Sequence, residues 1–399
     1  MGKINFQNVN TLNDRANILS GNLLLITADG SRFPILWRIH SIVVWLMQLI
    51  YTIVLLTGII VTPKEKSLKD GTVAVVVIIE SCFLLMRIYV NRKLITSLIQ
   101  KMNNILETAD DIMEDIVKTT LKPVIKPFVI YGTAGVISIT IWTIQPILLI
   151  FEKTNFSYVD YNLPTAFSAE PFSVNILISS TFFMTIASVY SFLKKYSVDV
   201  YMMHLVLMLT AQYRYMAIKL SLLFRDSQDN RDESQRRYHP MTNQRIEKEL
   251  RVLCRHQNTV LHISFLLRKL LSVNFSLLYL NSVFRFCFIA ILMSSVPYMT
   301  FMEGISVLSF TMGSVMQFFL LCSSVQTLSD ASIEVTDKAF HEAWYQFRPS
   351  MKRIFLLLIM ANNLECKIAA IEKFNLSLPS FMTIMNQSYS IALLFLKGN

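Results

Sequence analysis

Seven long apolar segments divide this chain of 399 residues, and they restrict the folds that it can adopt. Each segment holds roughly 20 consecutive, mostly apolar residues, the length that an α-helix needs to cross the hydrocarbon core of a bilayer. Because 53% of the residues are hydrophobic and only 16% are charged, a soluble domain of this size is excluded. The sequence predicts an all-α membrane protein with seven transmembrane helices. The segments are approximately Ser41 to Val61, Gly71 to Tyr89, Pro127 to Phe151, Phe172 to Phe192, Phe275 to Val296, Ile305 to Leu328 and Leu376 to Leu396.

The distribution of basic residues predicts how these helices are oriented. If the N-terminus is cytosolic, 30 of the 37 Lys and Arg residues fall on the cytosolic side and 5 on the outer side, as the positive-inside rule requires. The C-terminus is then extracellular. A G-protein-coupled receptor has the opposite orientation, so no G protein is expected to be required. Topology explains the net charge of +10, and nucleic acid is not expected as a partner.

The same assignment divides the chain into six regions. These are a cytosolic N-terminal segment at 1–40, transmembrane helices 1–4 at 41–193, cytosolic helical extensions with a loop at 194–274, transmembrane helices 5–6 at 275–328, cytosolic anchor helices at 329–375, and the seventh helix with a short extracellular C-terminus at 376–399.

Helical periodicity continues into the cytosolic regions. Apolar residues recur at helical spacing from His204 to Leu223 and from Ile246 to Phe265. A third piece, Met351 to Ile371, contains the apolar run Ile354 to Met360, which is too short to span a membrane. Asp226 to Gln244 is polar and contains Pro240, which predicts a mobile loop. The apolar stripes must be buried either on each other or on neighbouring subunits, and periodicity alone leaves both alternatives open.

No arrangement of residues indicates catalysis or a cofactor. The six His residues are scattered, none pairs with carboxylates at a metal-ligand spacing, and no glycine loop could hold a phosphate. We therefore expect neither an enzyme nor a metal site. All five Cys residues lie in predicted helices or cytosolic segments, so no disulfide is expected. Asn155 begins the only Asn-x-Ser/Thr sequence in an outer loop and is a candidate glycosylation site.

Two ionisable residues interrupt the middle of predicted spans. Glu80 lies in the second span and Arg285 in the fifth. Charges inside a membrane are costly, and they are usually paired or functional. We predict an internal ion pair between Glu80 and Arg285. The alternative is that Arg285 faces a water-filled vestibule.

From Phe310 onward the chain carries a series of short motifs. They are Phe318-Phe319-Leu320-Leu321-Cys322, Ala339 followed by Trp344-Tyr345, Phe374-Asn375-Leu376-Ser377-Leu378, Phe381, and Ser388-Tyr389-Ser390. In this order and spacing they resemble the C-terminal signature of the insect odorant receptors, in a form similar to the hymenopteran receptors. The related gustatory receptors carry a Thr-Tyr pair followed by Gln-Phe, and the sequence from Ser390 to Leu396 lacks the second pair. The resemblance therefore favours the odorant branch.

This resemblance implies a ligand-gated, non-selective cation channel in the plasma membrane of a sensory neuron. In the family, a variable subunit that is tuned to odours assembles with a shared co-receptor into a tetramer. The co-receptor is longer and has a larger loop before the fifth span, so this chain resembles a tuning subunit. The implied partners are the co-receptor, membrane lipid and a small hydrophobic odorant. The alternatives are a gustatory-type channel and, less favoured because no internal repeat is evident, a transporter.

The resemblance also implies an apolar odour pocket in the outer half of the bundle. On the third span, Gly135, Ser138 and Trp142 lie at three- and four-residue spacing and so share one face. Such a lining favours a small, mostly apolar ligand with at most one or two hydrogen-bonding groups. The predicted ligand-binding residues are Gly135, Ser138, Ile139, Trp142, Pro146, Ile176, Ser180, Phe183, Met184, Phe310 and Thr311.

In the family the seventh helix lines the pore, and the narrowest hydrophobic constriction lies near its outer end. Anchored on Tyr389, the resemblance places the gate positions at Ala392, Phe395 and Leu396. Hydrophobic constrictions gate by dewetting, which suits Phe395 and Leu396. Ala392 is small for a gate, and Phe395 stands where the co-receptor has a polar side chain. We therefore expect this chain to contribute to a pore without forming a good one alone.

Overall fold

A computed structural model of the protein describes residues 4–27, 33–64, 71–229, 240–295, 301–342, 344–346, 349–363 and 376–398. Ten α-helices account for most of these residues, and the described part of the chain contains one isolated antiparallel bridge, between Phe156 and Phe172. The helices are α1 (Thr11–Ser20), α2 (Ile35–Val61), α3 (Thr72–Val90), α4 (Arg92–Glu107), α5 (Asp111–Ile144), α6 (Val174–Asp229), α7 (Pro240–Ser295), α8 (Phe301–His341), α9 (Pro349–Asn363) and α10 (Leu378–Gly398).

Helix α6 lies at the centre of the bundle. It runs for 56 residues, which is ~84 Å at 1.5 Å per residue. Its sequence contains neither Gly nor Pro, so the usual causes of a kink are missing. It packs against α1, α2, α3, α5, α7 and α8, and its residues Tyr201, Met208 and Tyr213 are fully buried. The main hydrophobic core is therefore built around α6.

Five helical stretches are long and apolar enough to cross a membrane. They are Ile35–Val61, Asp111–Phe151, Val174–Leu223, Ile246–Ile291 and Gly304–His341. Helices α3 and α4 are together long and apolar enough for a sixth span, and the chain bends by 69° at Asn91 between them. The seventh predicted segment forms α10. All seven apolar segments are therefore helical over most of their described residues.

The helices extend further than the sequence predicted. The predicted mobile loop at Asp226 to Gln244 is helical at both ends, because α6 continues to Asp229 and α7 begins at Pro240. Proline is tolerated in the first turn of a helix, where its missing N–H is not needed. The middle of that loop, 230–239, lies outside the described residues. The third cytosolic helix is α9, and the part of its prediction after Asn363 also lies outside them.

The N-terminal segment packs across the inner half of α6 through His204. The Nε2 atom of this imidazole lies 3.1 Å from the carbonyl oxygen of Phe6, and Nδ1 lies 3.3 Å from Asn10 Nδ2. The Asn10 Oδ1 atom caps α1 by accepting from the N–H groups of Leu12 and Asn13. This fixes which side-chain atom of Asn10 is the oxygen, so the atom that faces His204 is the Nδ2 donor. Nε2 therefore donates, Nδ1 accepts and the imidazole is neutral. Burial lowers the pKa of His204 to about 4, against the raising effect of the Phe6 carbonyl.

A second junction joins α5, α6 and α7 below the membrane. Asp110 accepts from the Met113 N–H at the start of α5 (2.9 Å) and forms an ion pair with Lys219 of α6 (2.6 Å). Burial on its own would raise the pKa of Asp110, but these contacts outweigh it and the pKa is lowered. His256 of α7 packs edge-on against Tyr215 of α6. The extensions of α6 and α7, which the sequence predicts to be cytosolic, thus pack on each other within this chain.

Candidate functional site

Three of the predicted ligand-binding residues meet in a small apolar cluster, called here the outer cluster. Trp142 of α5 lies with Phe183 and Met184 of α6. The other members come from α2, α3, α6 and the loop that joins α5 to α6. They are Met47, Tyr51, Val54, Leu55 and Ile59 of α2, Ala74, Val75 and Ile78 of α3, Leu163 of the loop, and Ala187 of α6.

Hydroxyl groups accompany the outer cluster along one face of α6. Thr181, Met184 and Ser188 are separated by three and four residues, so they share this face. The Ser188 hydroxyl donates to the Tyr51 hydroxyl at 3.3 Å. The Thr181 Oγ1 atom is buried and has no hydrogen-bond partner within the described structure. The cluster is therefore apolar with a few hydroxyl groups at its edge.

The loop between α5 and α6 closes the outer cluster on one side. Its residues Leu163 and Pro164 are buried, and Asn162 Nδ2 donates to the Trp142 carbonyl oxygen at 2.6 Å. A Cβ atom at Gly58 of α2 would lie 2.2 Å from the Pro164 carbonyl oxygen. Only glycine permits this approach of the loop to α2. The loop thus supplies part of the cluster wall.

A second, smaller apolar cluster stabilises the loop itself. Phe156, Tyr161 and Phe172 stack on one another, and Ile176 of α6 packs against them. The Ser180 hydroxyl hydrogen-bonds with the Tyr161 hydroxyl. The two predicted ligand-binding residues Ile176 and Ser180 therefore support the loop.

Charged groups also hold the outer part of this loop. Lys153 and Asp160 form an ion pair at 2.7 Å, and the Ser157 N–H donates to Asp160 Oδ2 at 2.8 Å. Burial on its own would raise the pKa of Asp160, but the contacts with Lys153 and Ser157 lower it. The candidate glycosylation residue Asn155 is exposed in this loop. Its side chain is therefore open to solvent.

Gly135 has a packing role that differs from the predicted pocket floor. A Cβ atom at this position would lie 2.2 Å from Phe192 Cζ. The Phe192 ring of α6 therefore occupies the space over Gly135 and brings α5 and α6 close together. Phe192 itself contacts Tyr131 and Tyr196. Gly135 therefore permits the close contact between α5 and α6 at this position.

The remaining predicted ligand-binding residues are spread along α5 and α8. Phe310 packs against the main core, and the Thr311 hydroxyl donates to the Val307 carbonyl oxygen at 2.7 Å. Pro146 is buried in the 3-10 turn that follows α5. Ser138 and Ile139 are half-buried on α5.

The predicted ion pair between Glu80 and Arg285 is wrong. Glu80 instead forms a buried ion pair with Lys195 of α6, and it accepts a hydrogen bond from Asn281 of α7. Arg285 donates to Gln317 of α8 at 2.7 Å. The two charges are separated because α6 supplies a closer partner to Glu80. Lys195 was assigned to a cytosolic segment because it follows an apolar run, yet its side chain is buried inside the bundle.

The charged residues form two groups of buried polar contacts on α3, α6, α7 and α8, which are called here together the buried polar network. The Gln317 Nε2 atom donates to Asp199 Oδ2 of α6 at 2.5 Å, while Gln317 Oε1 accepts from Arg285 Nη1. Arg285 also lies 3.5 Å from the Ser282 hydroxyl. A cavity of about 10 Å³ adjoins these groups. Its lining is Phe128, Asp199, Met203, Leu278, Ser282, Arg285, Gln317, Phe318 and Leu321.

Helix α10 contacts α8 directly beside this network. The Phe381 ring lies 5.8 Å from Phe318 and 5.7 Å from Phe319, measured between ring centroids. Phe318 follows Gln317 in the chain. Tyr389 is 66% exposed. The predicted gate residues Ala392, Phe395 and Leu396 lie within α10, but their side chains are outside the described part of the structure.

Metal and thiol chemistry are not indicated by the described residues. Among them, no group of three or more His, Cys, Asp or Glu could hold a metal ion. Cys82, Cys254, Cys287 and Cys322 are free thiols. The fifth, Cys366, lies outside the described residues.

A bundle of helices that are long and apolar enough to cross a membrane, with a small apolar cluster near one end, is typical of a polytopic membrane protein. The sequence profile described as "7tm Odorant receptor" matches residues 68–389, and the chain therefore belongs to that family. The predicted resemblance is confirmed, and the family consists of receptors and not enzymes.

Individual relatives agree with this assignment. Odorant receptor 67c of Drosophila melanogaster is 30% identical over 137 residues, which make up 34% of this chain and 31% of that receptor. The match thus spans about a third of that relative's length. The insect olfactory receptor OR5 from Machilis hrabei has the same fold, with a TM-score of 0.78, 11% identity and coverage of 98% of this chain and 97% of that one. The structure of the same receptor in complex with eugenol matches with a TM-score of 0.74 and 12% identity, and the match covers 98% of both chains. The predicted all-α, seven-helix fold is therefore confirmed.

Proposed function

We propose that this chain is the odour-tuning subunit of a heteromeric, ligand-gated, non-selective cation channel. A small apolar volatile or pheromone binds in the outer cluster. The observation that carries the proposal is the meeting of Trp142, Phe183 and Met184 with α2, α3 and the outer loop. Membership of the odorant receptor family supports receptor function. The shared fold of a receptor solved with eugenol supports a small organic ligand.

The side chains of the outer cluster favour one chemical class of ligand. Its apolar members favour a ligand with little polar surface, since a polar group buried without a partner is costly. The free Thr181 hydroxyl and the Tyr51–Ser188 pair offer one or two hydrogen bonds. An apolar compound that carries a single oxygen function fits this description.

The channel itself is proposed to need a second kind of subunit. In this proposal α10 contributes to the pore, with Ala392, Phe395 and Leu396 at the constriction, and a co-receptor supplies the polar side chains that this chain lacks. The complex lies in the plasma membrane with a cytosolic N-terminus and an extracellular C-terminus, and Asn155 carries a glycan. The distribution of Lys and Arg supports this orientation.

Whole-cell current tests the proposal directly. The chain is expressed with and without an odorant-receptor co-receptor and exposed to volatile and cuticular-type apolar compounds. We expect a rapid cation current in the co-expressing cells alone. Current from this chain by itself would contradict the proposed role of the co-receptor. Surface expression with the co-receptor and no response to a broad panel would contradict the proposed ligand class.

Two neighbouring phenylalanines provide a matched test of the binding site. Phe183 lies in the outer cluster, whereas Phe182 is 65% exposed on the same helix. Burial of a Phe side chain contributes about 1.5–3 kcal/mol, and ~1.4 kcal/mol is a factor of ten in binding. We expect Phe183→Ala to raise the half-maximal ligand concentration about tenfold or more, and Phe182→Ala to leave it nearly unchanged. Equal shifts in the two variants would place the ligand elsewhere.

A further inference from the structure

The buried polar network contains two atoms whose hydrogen-bonding capacity is unused. Asp199 Oδ1 and Arg285 Nε have no hydrogen-bond partner within the described structure. The residues are only 3% and 7% exposed. Buried polar atoms in native proteins nearly always have a partner, either in the protein or in an ordered water. These two atoms therefore need a hydrogen-bond partner.

Both residues line the same small cavity between α5, α6, α7 and α8. Its volume of about 10 Å³ is close to the ~10–15 Å³ that one water molecule needs. Asp199 Oδ1 can only accept a hydrogen bond, and Arg285 Nε–H can only donate one. The Ser282 hydroxyl is a third polar group in the lining. A single molecule that both donates and accepts would satisfy the two unpartnered atoms.

We infer that this cavity is a binding site for one water molecule, which bridges Asp199 Oδ1 and Arg285 Nε. Other occupants fit less well. A cation would be repelled by Arg285 and an anion by Asp199, while an apolar molecule would leave both atoms unsatisfied. The water accepts from the Arg285 Nε–H and donates to Asp199 Oδ1.

The bound water completes a closed ring of hydrogen bonds. Gln317 already joins the other ends of the two charged side chains, because it donates to Asp199 Oδ2 and accepts from Arg285 Nη1. The water joins Asp199 Oδ1 to Arg285 Nε. The ring then connects α6, α7 and α8 at the level where Phe318 contacts Phe381 of α10. A well-satisfied network of this kind is more rigid than one with open positions.

Cavity filling distinguishes a bound water from an empty space by the sign of its effect. Ser282→Thr adds a methyl group to the cavity lining and keeps the hydroxyl that lies 3.5 Å from Arg285. If the cavity holds water, the methyl group displaces it, leaves two polar atoms without a partner and lowers stability; if the cavity is empty, filling it raises stability. Ser276→Thr is the matched control, because Ser276 lies on the same helix and does not line the cavity.

The measurement is the thermal midpoint of the full-length chain in complex with its co-receptor, heated in detergent and followed by size-exclusion chromatography. We expect the thermal midpoint of Ser282→Thr to lie several degrees below that of Ser276→Thr. A midpoint equal to that of the control, or above it, would overturn the proposal. Cryo-electron microscopy of the wild-type complex at a resolution that shows ordered water is the second measurement. We expect one density peak within hydrogen-bond distance of both atoms, and a direct Asp199–Arg285 contact in its place would also overturn the proposal.

Discussion

The buried ion pair between Glu80 and Lys195 should contribute strongly to the stability of the bundle. The two side chains are 2% and 4% exposed, so removal of one partner leaves a charge without compensation. Breaking a buried pair in this way costs roughly 3–5 kcal/mol, a large part of the ~5–15 kcal/mol that stabilises a typical domain. We expect Lys195→Met to lower the free energy of unfolding by an amount in this range. Glu80→Gln should cost a similar amount, because it leaves Lys195 buried without a counter-charge and replaces one of the two oxygens that accept from Lys195 and Asn281 with an NH2 donor.

A double variant separates a true pair from two independent charges. Together with Asp199 and Arg285, Glu80 and Lys195 give the network no net charge. Each single variant unbalances it by one charge, and Glu80→Gln with Lys195→Met restores neutrality. The cost of the double variant should therefore be smaller than the sum of the single costs by about 1–3 kcal/mol, the coupling found between contacting residues.

An exposed ion pair on α5 provides the control for this experiment. Lys118 and Glu114 lie 2.5 Å apart, and the Lys118 side chain is 51% exposed. Such a pair contributes at most ~0.5 kcal/mol, so Lys118→Met should be nearly neutral. Thermal midpoints of the full-length chain with the proposed co-receptor, and surface labelling of intact cells, would rank the variants. Additive losses in the double variant would refute the pairing, and so would a Lys195→Met variant as mild as Lys118→Met.

Three further predictions follow from local geometry. Gly135→Ala should lower the thermal midpoint, because overpacking lowers the free energy of unfolding by ~1–3 kcal/mol. Gly313→Ala should not lower it, because no atom lies within 4 Å of the Cβ that alanine would add there. The pKa of His204 is lowered by burial to about 4, below the unfolded value of ~6.5, so stability should fall as pH decreases through this window because the unfolded chain binds the extra proton. His204→Gln should reduce that slope, and His341→Gln should not. Asn155→Gln should increase gel mobility as glycosidase treatment does; an unchanged band would show that the residue is unmodified.

The number and placement of the membrane helices could be predicted from the sequence, and the reason is physical. A bilayer requires about 20 apolar residues per helix, and segments that meet this requirement can be recognised in the sequence alone. The ends of α6 and α7 could not be placed as well, because polar residues such as Asp226 and Gln244 are compatible with an exposed helix as well as a loop. The absence of Gly and Pro from α6 was the available signal for its length.

Contacts between distant segments could be predicted only in part. Trp142, Phe183 and Met184 were expected near one another because their positions along the spans are similar. The contributions of Tyr51 and Leu163 were missed, since they depend on how α2 and the outer loop are placed. Lys195 was missed as the partner of Glu80 for a related reason. The positive-inside rule describes where charges lie on average, and it cannot identify a lysine that a carboxylate holds inside the bundle.

The uninterrupted course of α6 has a consequence for how receptors of this kind can diversify. One inserted or deleted residue in an α-helix rotates everything beyond it by about 100° and shifts it by about 1.5 Å. Between Met184 and Tyr213 there is no Gly or Pro at which such a change could be absorbed. A length change between Met184 and Lys195 would turn Lys195, Asp199 and His204 away from their partners together. Variation in ligand preference is therefore open to exchange of side chains along α6, while insertions and deletions are confined to the loops.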